Sequence, residues 1–159
     1  VVAYVHGDSI HSGYALVKVQ EEKLFVAVQQ AQLAMDRESN PFRLEAQELV
    51  DYANSGAATP EDMQTAQRRL MELESQMGKL QEASQNQLIE LESSLQAEIA
   101  SNFSRDVAEY AQERGLDVVL NWGLSGEGLL YGTPGLDVTA GLLEFMNDRF
   151  ESEISSEEE

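Results

Sequence analysis

The chain has 159 residues, with 29 Asp and Glu against 10 Lys and Arg, for a formal net charge of −19. Such a field disfavours DNA, RNA and anionic membrane surfaces, which are bound by Lys and Arg displacing counterions. There is no cysteine, so disulfides and thiol catalysis are excluded, and no apolar run approaches the ~20 residues of a membrane-spanning helix. An aromatic fraction of 7% is low in large core anchors and ordinary for a long-helix protein.

Val1–Val5 is apolar and β-branched and reads as a buried strand. HGDSIHSGY reads as a loop, with Asp8, Ser9 and Ser12 as possible helix caps. From about Tyr14 a long helix is expected, with Leu24, Val28, Ala31, Met35, Phe42, Leu49 and Ala53 at helical spacing. Pro41 removes a backbone donor and crowds the preceding turn, so a kink or restart is expected at SNPF, with Asn40 as cap.

At 54–62, NSGAATPED, one helix ends and another begins. Asn, Ser and Gly are stop signals; Thr59 is an N-cap, Pro60 a first helical residue, and Glu61 and Asp62 complement the helix dipole. This is the tip of a helical hairpin. The second helix runs from about Pro60 to Arg114, roughly 80 Å at 1.5 Å per residue. Met63, Ala66, Leu70, Leu73, Met77 and Leu80 alternate three and four apart, a coiled-coil seam. The seam passes through Ser84 to Leu88 in two steps of four, a stutter that locally unwinds a supercoil. It continues at Leu91, Leu95, Ile99, Phe103 and Val107.

Gly115 is a C-terminal cap, Leu116–Trp122 a strand, GLSGEG a hairpin-type loop, and Leu129–Tyr131 a third strand. GTPG turns the chain. Asp137 or Thr139 then caps a helix carrying Leu142, Leu143, Phe145, Met146 and Phe150. ESEISSEEE, 151–159, holds five Glu and no base and is expected to be a disordered tail. The fold class is α+β: a small β-rich body from 1–13 and 115–150, and a hairpin arm over 14–114. So small a body cannot bury enough surface alone, and association of several copies is the natural remedy.

The segments AYVHGDSI (3–10), YANSGAATPEDMQTAQRRLMELESQM across the tip, and GLDVVLNW…GLLYGTPGLDVTAGLLEFMN (115–147) resemble the Skp/OmpH family of periplasmic chaperones. The similarity runs from Val2 to about Asn147. It implies a jellyfish-like homotrimer whose β-rich body gathers three arms around a cavity. That cavity would hold unfolded outer-membrane proteins, with no ATP, metal or cofactor. The resemblance also implies a periplasmic location, and the absence of an initiator Met fits a removed signal peptide. Well-studied members have basic arms, so no lipopolysaccharide site is carried over to a chain this acidic.

Candidate client-binding residues are Phe25, Val26, Met35, Phe42 and Met71. The run Leu24–Val28 reads either as buried where the arm meets the body or its partner helix, or as a greasy wall for clients. Met63 and Met77 lie on the seam and read as core, whereas Met71 lies beside it. Candidate self-association residues are Val2, Tyr4, Val118, Leu120, Trp122, Leu130 and Leu136. Pro41, Ser84 and Leu88 are the expected flex points. His6 and His11, five apart with no third ligand, do not make a metal site, and no nucleophile elbow or phosphate loop is present. A second reading is a coiled-coil adaptor whose arms hold one folded partner.

Overall fold

The protein is described by a computed structural model covering residues 1–123 and 128–158. In chain order the elements are β1 (Val2–Val5), α1 (Gly7–Gly13), α2 (Ala15–Asn54), α3 (Pro60–Arg114), β2 (Val118–Asn121), a 3-10 turn at Pro134–Leu136, and α4 (Thr139–Glu157). The chain divides into two compact units, Val1–Lys23 with Ser93–Glu159, and Leu24–Glu92. The first turns of α2 and the last third of α3 therefore pack with the strands and α4.

In the first unit β1 and β2 pair in parallel, with Val2 opposite Val118 and Val5 opposite Asn121. The Val1 ammonium pairs with Asp117, and the Val1 carbonyl accepts from the Asp117 and Val118 amides. On its other edge β1 takes one bridge, Tyr4 to Asp137, and the Tyr4 carbonyl accepts the Val138 amide at 3.0 Å. Alternation sends Ala3, Val5 and Val119 to the inner face. Val5 joins a core of Ile10, Tyr14, Leu16, Val17, Tyr110, Leu142 and Met146, against which Val119 packs.

Under this core sits a buried carboxylate. Asp106 is 1% exposed and is held by Arg105 Nη2 at 3.1 Å and Arg149 Nε at 3.6 Å. The Tyr14 hydroxyl lies 3.5 Å from Asp106 Oδ2, a long contact. The two arginines share Glu153, and Arg149 also pairs with Glu109. One network thus ties α2, α3 and α4. Asn147 adds a second tie: its Oδ1 accepts the Ala15 amide at 2.8 Å and its Nδ2 donates to the Gly13 carbonyl, so α4 caps the start of α2.

In the second unit the tip forms as its sequence specifies. Gly56 has φ +78°. The Thr59 amide donates to Asp62 Oδ2 at 3.0 Å and the Asp62 amide to Thr59 Oγ1 at 3.1 Å, a reciprocal capping box. These bonds, with one from the Tyr52 hydroxyl, hold the Asp62 carboxyl below the usual carboxylate range. Arg69 reaches across from α3 to clasp Glu45 of α2 with two bonds, 2.6 and 3.0 Å, and also meets Glu72. At its far end α3 stops in a Schellman motif: Gly115 has φ +64°, Leu116 N–H reaches the Ala111 carbonyl and Gly115 N–H the Gln112 carbonyl.

Four expectations are corrected. Gly7–Gly13 is a short helix, not a loop, and it includes Asp8, Ser9 and Ser12. Its buried Ile10 anchors it, and Asn121 takes the Gly7 amide. Helix α2 runs without restart through Pro41. A single proline removes only the bond to the Arg37 carbonyl, and intact turns on both sides carry the helix past it. Leu129–Tyr131 forms no strand: Gly128 makes one bridge to Trp122, and β1's remaining edge is used by Asp137 and Val138. Within the loop GLSGEG, residues 124–127 lie outside the described residues. Finally, α4 continues to Glu157, where a disordered tail had been expected after Phe150. Glu153 is held by both Arg105 and Arg149, which offsets the like-charge repulsion.

Two outcomes follow for stability. Asp106→Ala strands two arginines beside a buried site and should lower urea-unfolding stability by about 3 kcal/mol. Burial, then the neighbouring Asp106, push the Tyr14 phenol up to about 12. The unfolded phenol ionises near 10. The folded state is thus the more protonated one between these values, and stability is full below pH 10 and falls as pH rises towards 12. Tyr14→Phe should flatten that fall, as followed by circular dichroism across alkaline pH.

Candidate functional site

Apolar surface is left open in both units. In the hairpin unit the inward seam is built from α2 and α3. Ala66 and Leu73 are buried on α3, as is Ser39 on α2, while Leu70, Met77, Leu80, Ser84 and Leu88 are half-buried. The seam is interrupted where small side chains meet. Between Val28–Ala46 and Leu70–Leu88 a groove of about 820 Å³ opens, lined by Ala31, Met35, Ser39, Met77, Gly78 and Ser84 among others. An added Cβ at Gly78 would have nothing within 4 Å. Ser84 and Leu88, the stutter positions, line this groove.

Outside the seam, large apolar side chains stand in solvent. Phe25 is 62% exposed and Met71 67%, and Val26 is also exposed. Of the other residues expected to meet clients, Met35 lines the groove and Phe42 is half-buried. Leu24 turns inward while Phe25 and Val26 do not, so within this chain the run Leu24–Val28 is not buried as a whole. Val28, expected on the helical stripe, lines the groove between the helices while remaining 46% exposed. Met63, expected in the seam, is 48% exposed. It lies in the first turn of α3, next to Asp62, which accepts a hydrogen bond from Tyr52 of α2. Leu33, Leu44 and Ile89 are exposed as well and were not singled out from sequence. Their signal was present: each is a large aliphatic residue displaced from the three-four spacing.

In the strand unit a cleft of about 490 Å³ opens beside Ile10, Val17, Ile99 and Phe103, and the outer face of the sheet is open as well. Val2, Val118 and Leu120 share that face and are exposed, together with Leu130, Tyr131 and Leu136. Tyr4 belongs to the same face but is 4% exposed. Trp122 and His6 pack edge-on to its ring, its hydroxyl donates to the Gly132 carbonyl, and a Cβ at Gly132 would run into the ring. Trp122 is half-buried and stacks on His6 with centroids 5.0 Å apart. The His6 Nε2 lies 3.5 Å from Asp137. Burial pushes the Asp137 carboxyl up, but bonds from the Thr139 hydroxyl and amide, with His6 nearby, bring it below its ordinary value. Asp137 thereby serves the first turn of α4.

His11 faces Glu21, not His6, and among the described residues no group of three or more His, Asp or Glu is placed to hold a metal ion. Among them also, no helix is long and apolar enough to cross a membrane.

The geometry defines a class: an α+β chain in which two long helices, antiparallel about a capped tip, connect two parallel strands and leave apolar surface uncovered in both units. The family model for outer membrane protein (OmpH-like) matches residues 1–146, and the chain belongs to this Skp/OmpH family. A solved structure of an OmpH-like protein from Caulobacter crescentus CB15 superposes with a TM-score of 0.69. The match covers 93% of this chain and 84% of that one at 16% identity, which is a likeness of fold. Among curated proteins no match is found.

The loosely filled seam gives a direct test. Gly78→Ala adds a methyl into open space within a helix and removes glycine's backbone freedom. It should raise the stability of the hairpin by about 0.5–1 kcal/mol, read as an increase in thermal midpoint by circular dichroism.

Proposed function

We propose that the chain is an ATP-independent holdase chaperone of the periplasm. In this reading it acts as a homotrimer and keeps unfolded outer-membrane proteins from aggregating in a cavity between its arms. Family membership makes a chaperone the first reading, and the fold is shared with the OmpH-like protein from Caulobacter crescentus. The observation that carries it on this chain is the set of large apolar side chains on the hairpin that its own packing does not use: Phe25, Val26, Leu33, Met71 and Ile89.

Physical chemistry favours a holdase with such a surface. Covering half of one exposed Leu, Met or Phe is worth about 1 kcal/mol. Several contacts must act together to retain a client, and none of them dictates a register. Met71 adapts its shape to different neighbours. Apolar contacts of this kind also survive high salt. The groove at Met35, Gly78 and Ser84 leaves room for the two helices to repack, so the flex assigned to Ser84 and Leu88 has a structural outlet. Self-association is assigned to the open sheet face at Val2, Val118 and Leu120, with Leu130 and Leu136. Tyr4 and Trp122 act there as the floor beneath that face.

Dilution of a chemically unfolded β-barrel protein into buffer containing this chain tests the reading. Turbidity should fall at near-stoichiometric chaperone without nucleotide. Phe25→Gln with Met71→Gln should weaken that suppression several-fold and leave the thermal midpoint nearly unchanged. Light scattering after size exclusion should give three times the chain mass. A monomer would remove the cavity, absence of suppression at every salt concentration would remove the holdase, and retention of one stoichiometric folded partner in a pull-down would favour the adaptor.

A further inference from the structure

The tip half of the hairpin differs in chemistry from the rest of it. Between Leu44 and Gln67 there are five carboxylates, Glu45, Glu48, Asp51, Glu61 and Asp62, and no Lys or Arg. Only Glu45 is neutralised, by the double bond pattern from Arg69. Asp51 accepts from Gln47 and Asp62 from Thr59 and Tyr52, all uncharged donors, so their charge stays in place. The flanking cations stand at the ends of this segment: Arg43 lines the groove between the helices, and Arg68 lies beside Met71.

The same segment exposes apolar surface that nothing in the chain covers. Leu44 is 58% exposed, and Val50, Tyr52 and Met63 are exposed as well. Leu44, Glu48 and Tyr52 are spaced by four and form one line along α2, with Asp51 beside it. The line reaches α3 through the Tyr52 hydroxyl, which donates to Asp62 at 3.1 Å. Apolar and anionic groups therefore alternate along one helix face and across the tip.

We propose that the hairpin tip is a docking surface for cationic segments of unfolded polypeptide, those in which Lys or Arg alternate with apolar residues. This rests on the holdase reading and names its preferred client class. Charge complementarity selects the occupant: the apolar side chains accept any unfolded chain, whereas unneutralised carboxylates beside them favour Lys and Arg and repel Asp and Glu. The preference is electrostatic and exposed to solvent, so it depends on ionic strength. At 0.1 M salt the Debye length is about 10 Å, long enough for a bound cation to feel several tip carboxylates; at 1 M it is about 3 Å and this reach is lost.

Two fluorescein-labelled peptides of equal length and equal leucine content, one with alternating Lys and one with alternating Glu, test this on the full chain. Fluorescence anisotropy at 20 mM salt should give at least tenfold tighter binding of the Lys peptide, shrinking to within about twofold at 1 M salt. The variant Glu48→Gln/Asp51→Asn/Glu61→Gln, which leaves both Thr59–Asp62 bonds intact, should lose most of the preference. Leu44→Ser/Met63→Gln should weaken both peptides. Equal binding of the two peptides at low salt overturns the inference, and so does a preference that survives in the carboxylate variant. Binding of neither peptide overturns it too. Turbidity suppression on the same preparation then decides separately whether the holdase reading stands.

Discussion

Four residue pairs, from Val2 with Val118 to Val5 with Asn121, close a circuit of 116 residues, and the strand unit depends on that closure. Parallel strands need a long crossover, and here the crossover is the whole helical hairpin. For a flexible chain of this length closure would cost about 4 kcal/mol in entropy, and a two-stranded sheet cannot repay that alone. The helices change the sum. Each strand lies close in sequence to a helix, and the two helices are joined within the same unit by Gln20 Nε2 to Glu98 at 2.6 Å and by the Tyr14–Asp106 contact. Once α2 and α3 have paired, the strands have little conformational freedom left to lose.

The second dependence is electrostatic. In a chain with few bases, three of the ten, Arg69, Arg105 and Arg149, are spent on structure. Arg105 and Arg149 make a buried Asp106 tolerable and hold α4 onto α3. Arg69 clasps the hairpin through Glu45, whose carboxyl it lowers. With 29 acidic residues against 10 Lys and Arg, the acidic groups outnumber the cations available to them. Gln20 shows a related economy: it is 2% exposed, bonds Glu98 through its nitrogen, and its Oε1 has no partner among the described residues. A polar side chain at such a place weakens the helix pair but fixes its register.

Much of this was legible in the sequence, and the parts that were not share a cause. Local signals located the tip and both ends of α3 because Thr59, Pro60, Asp62 and Gly115 act on their own neighbours. The inward face of α3 was readable from its spacing, apart from Met63, which is exposed in the first turn. What escaped was decided by residues far away in sequence. Gly7–Gly13 is helical because Ile10 reaches a core made by α4, and Glu153 belongs to a helix because Arg105 waits on α3. The β1 edge went to Asp137 and Val138 rather than to Leu129–Tyr131, a competition that no local propensity reveals. The open surfaces were half readable. Phe25 stood out within the apolar run Leu24–Val28 and Met71 by its place beside the seam, but Leu33, Leu44 and Ile89 needed the observed pairing of the helices to show that they face away from it.

The long crossover has a consequence for the making of the protein. β1 leaves the ribosome before its partner, which is translated more than a hundred residues later. At roughly 5–20 residues per second, Val2–Val5 spends on the order of ten seconds without the strand it pairs with. During that interval only the helices, which need no distant partner, can form. The outer sheet face of Val2, Val118 and Leu120 does not exist on an unfinished chain, so nascent copies on one messenger cannot recognise one another through it. Any joining of subunits at that face is confined to chains in which β2 has already been made.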